Sequence, residues 1–157
     1  MISEFDSLSN EEQDLMLRAP IITCILIAGA DNHIDNKEIK HSLEMARNKH
    51  KKFKSSAVGT YYLNVAEDFE DKLKIVLQKY PTDAGRRNTL ITEELAQLNK
   101  VIPKLPRPFA IDFYRSLRDI AVQIAESSGG LLGMNAVDED EASLVGLPMI
   151  NNPDKQK

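Results

Sequence analysis

Ile27-Ala28-Gly29-Ala30-Asp31-Asn32-His33-Ile34-Asp35-Asn36-Lys37-Glu38 joins the end of an apolar helix to the start of a polar one through a short acidic turn. Just upstream, Pro20 to Ala30 is the most apolar run in the chain. It is too short for the roughly 20 residues a helix needs to cross a bilayer, so it reads as a buried core helix. Downstream, Asp35 has the chemistry of an N-cap and Glu38, three residues on, completes a capping-box pattern. The helix opened there carries Ile39, Leu43 and Ala46 on one face. Elsewhere no period-2 run and no Asn-Gly or Asp-Gly hairpin turn occurs. These features predict an all-α fold.

The same device recurs near the other end of the chain. Ile124-Ala125-Glu126-Ser127-Ser128-Gly129 ends an apolar helix, and Val137-Asp138-Glu139-Asp140-Glu141 opens a polar one. Asp31 and Asp35 stand four apart and Ser128 and Asp138 ten apart, so the second turn holds extra residues near Leu131 to Ala136. The apolar residue before each cap can pack back on its helix as a staple.

Before, between and after the two turns the helical period continues. Ser9-Asn10-Glu11-Glu12 is a capping box that opens a first helix, expected to end near Ala19. Pro20 then suits the first turn of a second helix over 20–30. The basic run over 47–54, RNKHKKFK, favours the negative end of the helix dipole and closes the helix begun at Asp35. Tyr62, Ala66, Phe69, Leu73, Val76 and Tyr80 form one apolar stripe and predict a single helix from about Ala57 to Tyr80. Pro81 to Gly85 breaks it. Ile91, Leu95, Leu98 and Ile102 mark the next helix, and Pro103, Pro106 and Pro108 stop it. A long helix from about Pro108 to Glu126 carries Phe113, Leu117, Ile120 and Ile124. A short helix from Asp138 follows, and the polar tail NNPDKQK is expected to fray. The whole is about seven helices in one unit with an internal helix–acidic turn–helix repeat. Its parts are an N-terminal segment and first helix start over 1–14, the helical domain over 15–147, and a C-terminal tail over 148–157.

Composition narrows the function. The 157 residues are one domain's worth, with 42% hydrophobic and 28% charged residues. One cysteine excludes an internal disulfide framework and any multi-thiolate zinc site. That residue, Cys24, has apolar neighbours and reads as a small buried hydrophobe rather than a reactive thiol. With no Trp, few aromatics and a net charge of −4, no nucleic-acid surface is expected. The acidic N-terminus lacks a signal-peptide pattern, so a cytoplasmic protein without membrane insertion is expected. No nucleophile–base pair, Gly-rich phosphate loop or His-rich set is present in the sequence, which argues against an enzyme.

The acidic turns are the candidate site. Caps alone explain Asp35 with Glu38 and Asp138 with Glu141. Asp31 adds a carboxylate that no cap requires, and the recurrence allows both turns to meet. Asp31, Asp35, Glu38, Asp138 and Glu141 would repel one another unless a cation or proton neutralised them. Oxygen donors of this kind suit Ca²⁺, Mg²⁺ or Mn²⁺. An EF-hand does not fit, because counting from Asp31 puts Asn36 at the glycine position and Ser42 at the bidentate glutamate. His33 is better read as a solvent-facing loop residue than as a ligand.

Ala28-x-Ala30-Asp31-x-x-Ile34-Asp35-x-x-Glu38 resembles the signature of the TerB-like domains, named for the tellurite-resistance protein TerB. Ala125-Glu126-Ser127-Ser128-Gly129-Gly130-Leu131-Leu132-Gly133 is similar to the segment that precedes the second acidic turn in that family. The resemblance runs over residues 15–147. It implies a helical domain with an internal repeat and a divalent cation on the acidic cluster. It also implies a role in metal-ion or stress response beside a protein partner, and a related fold in the N-terminal region of a membrane-tethered J-domain co-chaperone. Asn32 stands where the family has Gly, and Asn also tolerates left-handed backbone. Ser128 stands where the second turn would hold its first Asp, which removes one carboxylate.

Overall fold

Ser9 and Glu12 close the predicted capping box. The Glu12 amide donates to Ser9 Oγ at 3.1 Å, and the Ser9 amide donates to Glu12 Oε1 at 2.9 Å. The computed structural model that carries this cap describes residues 3–28, 44, 57–67, 69–127 and 145–154. All regular structure among them is helical. After a 3-10 turn at Ser3–Phe5, α1 spans Asn10–Ala28, α2 Ala57–Ala66, α3 Phe69–Lys79, α4 Ala84–Ala96, α5 Leu98–Val101 and α6 Arg107–Ser127, with a second 3-10 turn at Ile102–Lys104.

The first correction lies in α1. The expected boundary at Ala19/Pro20 is absent, and one helix runs through Pro20. A proline inside a helix has no N–H for the carbonyl four residues back, here that of Met16. The Tyr61 hydroxyl, brought in by α2, donates to that carbonyl. Met16, Pro20 and Tyr61 are all buried, so the freed acceptor is satisfied from another helix and the chain has no cause to turn.

The second correction lies in the Tyr stripe. The single helix expected over 57–80 is two, α2 and α3. Glu67-Asp68 carries neither Gly nor Pro, so no local signal marks the break. A straight helix of that length would run about 36 Å, against about 28 Å for α1. Breaking it lets both halves pack on α1, and Lys72 Nζ ties α3 back to the Asn64 carbonyl of α2 at 2.8 Å. Of the stripe itself, Tyr62, Leu73, Val76 and Tyr80 are buried.

From Pro81 onward the one helix expected to carry Ile91, Leu95, Leu98 and Ile102 is in three pieces, with breaks at Gln97 and at Val101/Ile102. Asp83 caps α4 by accepting from the Arg86 amide at 2.9 Å. Ile91, Leu95, Leu98 and Ile102 are all buried, carried over α4, α5 and the 3-10 turn that holds Pro103. Phe113, Leu117, Ile120 and Ile124 are fully buried along α6. The short helix expected from Asp138 and the helix carrying Ile39, Leu43 and Ala46 lie outside the described residues, apart from Glu44 and Val145, which are helical.

The tail is a further correction as far as Asp154. Leu147, Ile150 and Pro153 are buried. Asn99 on α5 clasps the chain there, its Nδ2 donating to the Met149 carbonyl at 2.9 Å and its Oδ1 accepting from the Asn151 amide at 2.7 Å. Arg115 pairs with Asp154 at 3.0 Å. Leu147 takes a positive φ of 50°, a conformation costly to a leucine, and its full burial offsets that strain.

Candidate functional site

The described structure shows what the two acidic segments are attached to. Asp31, Asp35, Glu38, Asp138 and Glu141 lie outside the described residues, as do His33 and Ser128. Their anchors are Ala28, the last residue of α1, and Ser127, the last of α6. α1 packs more extensively against α6 than against any other described element.

Three sets of contacts fix the sense of that pair. Near the two helix starts, Lys104 reaches Glu12 at 2.8 Å and the rings of Phe5 and Phe109 meet edge to face at 6.2 Å. One stage on, Tyr61 donates to the Met16 carbonyl while its ring meets that of Phe113 at 5.6 Å. Further along, Tyr62 shares a 2.6 Å hydrogen bond with Ser116 and lies within electrostatic reach of Cys24 on α1 and Asp119 on α6. Residue numbers rise together on both helices. α1 and α6 therefore run in the same direction, and Ala28 and Ser127 leave the bundle at one end.

Among the described residues, the hydroxyls and the thiol between them are buried and kept protonated. Ser116 Oγ donates to the Phe113 carbonyl at 2.7 Å, which leaves the Tyr62 hydroxyl as donor in its bond to Ser116. Burial pushes the Tyr61 and Tyr62 hydroxyls well above the usual tyrosine range. Cys24 is fully buried, and burial likewise raises its thiol far above the range of a reactive cysteine. Among the described residues no group of three or more His, Cys, Asp or Glu is placed to hold a metal ion, and no helix is long and apolar enough to cross a membrane.

A second feature was missed in the sequence. Arg18 on α1 pairs with Glu94 on α4 at 2.7 Å, and Lys79 on α3 approaches the same carboxylate at 3.4 Å. Beside this triad, α1 and α3 leave a half-open groove of about 370 Å³ lined by Asp14, Leu17, Arg18, Ile21, Lys72, Ile75 and Val76. The one sequence signal for it was Ile75, an isoleucine off the apolar stripe of its helix, and it is 65% exposed.

No protein-family model, no curated protein and no solved structure matches this chain.

Proposed function

We propose that the protein is a non-enzymatic, TerB-like helical domain whose two acidic turns together bind a divalent cation, Ca²⁺, Mg²⁺ or Mn²⁺, and that it acts in metal-ion or stress response through a protein partner. The observation that carries this reading is the parallel packing of α1 and α6, which starts both acidic segments from one end of the bundle. In this reading carboxylates from segments far apart in sequence would meet near that end, and a cation there would relieve their repulsion. In this reading the helices opened at Asp35 and Asp138 complete a bundle of about seven with an internal repeat.

The test is calorimetric titration of Ca²⁺, Mg²⁺ and Mn²⁺ into the wild type and into the double variant Asp31→Asn/Glu38→Gln. Binding heat and a rise in melting temperature are expected in the wild type and lost in the variant. A wild type that gives neither heat nor a melting shift with any of the three ions overturns the cation site.

A second reading has its own support. The chain already uses carboxylates as plain caps at Glu12 and Asp83. The acidic turns would then be caps as well, on an ion-free protein-interaction module. Replacing Asp35 by Ala would in that case lower stability by about 1 kcal/mol, equally with and without added cation.

A further inference from the structure

The groove between α1 and α3 does not rest on the acidic turns, and it has the features of a self-pairing face. Its floor is apolar, with Ile21 and Val76 buried and Leu17 partly so. Its wall at Arg18 is held by the bond to Glu94 and so is formed before anything docks. Ile75 lines the same groove and stands 65% exposed. One face thus carries both a hole and an aliphatic knob. The charges on its rim are also of both signs. Asp14 forms no ion pair among the described residues, and Lys72 spends its ammonium on the Asn64 carbonyl rather than on a carboxylate.

A small ligand fits this poorly, because such sites bury most of the ligand and this groove is half-open. A foreign helix would have to bring an aliphatic anchor, an acid and a base in matching array. A second copy of this chain brings all three. In a two-fold pairing each residue i that meets j has its counterpart j meeting i, so one knob, one hole, one acid and one base on a single face are sufficient. We infer that the protein forms a two-fold homodimer through the α1–α3 groove, with Ile75 of each copy seated in the groove of the other and Asp14 facing Lys72 across the axis.

The experiment is sedimentation equilibrium of the full chain over a wide concentration range, with circular dichroism to confirm that each variant is folded. The wild type is expected to pass from 17.6 kDa to twice that mass as concentration rises. Ile75→Glu, a change at an exposed position, is expected to hold the chain at monomer mass while folded. Asp14→Lys and Lys72→Asp are each expected to weaken the dimer about tenfold, and the two together to return it to within about threefold of wild type. A wild type that stays monomeric at every concentration overturns the proposal, as does a dimer that Ile75→Glu leaves intact. Failure of the double swap to restore the dimer overturns the Asp14–Lys72 pairing. None of these outcomes depends on the cation titration, so the two readings fail separately.

Discussion

Glu12 shows how much one side chain can do at a helix start. It closes the capping box with Ser9 and takes the Lys104 ammonium at 2.8 Å. The hydrogen bond from Lys104, and then that from the Ser9 amide, hold its carboxyl below the ordinary 4.5. A carboxyl with a lowered folded value stabilises the fold fully above the unfolded value and loses that contribution as pH falls through the folded one. Glu12→Gln keeps the cap acceptor and removes the charge. Wild type is therefore expected to melt above Glu12→Gln at neutral pH, with the gap closing as pH drops below 4.5; thermal melts of both across that range check it. The cap was legible because its partners are three residues apart. Lys104 lies 92 residues away, and no local pattern pointed to it.

At the scale of elements, legibility followed the range of the cause. α6, fixed by its own period, stands where its residues place it, and the start of α4 is fixed by its own cap at Asp83. The boundaries misjudged at Pro20 and at Glu67 both depend on tertiary partners. Pro20 reads as a helix start, and is one by default, unless another group serves the Met16 carbonyl. Tyr61 is that group, and it lies 45 residues away. Tyr61→Phe is expected to destabilise the protein by about 1–3 kcal/mol, the cost of a buried acceptor left without a donor. In a Pro20→Ala background the new amide can serve Met16, so the same Tyr61→Phe change should cost less. A double-mutant cycle in urea measures the coupling, and equal costs in both backgrounds would show that Tyr61 does not stand in for the missing N–H.

Across the whole molecule, two matching acidic turns could be suspected from their residues, but where their helices point could not. That depended on Tyr62, one member of the apolar stripe, and on Tyr61, which stands outside it; both sit between α1 and α6. Asn99 and the docked tail were hidden for a similar reason. A lone asparagine and a polar C-terminus are common surface features, and only the fold brings them together. The groove was hidden because its walls come from two helices whose apposition no motif records.

The parallel pairing of α1 and α6 also has a consequence during synthesis. Helical proteins usually gain most of their contacts from near neighbours and fold fast for that reason. Here the first long helix finds its main partner only in α6, which starts at Arg107. On the ribosome, the part of α1 that packs on α6 must wait for α6 to emerge. A chain cut after Pro106 should therefore show no cooperative thermal transition and should bind a hydrophobic dye, while the full chain melts in one step. For a helical protein this is a late-closing contact, and part of the α1 surface stays uncovered until α6 is made.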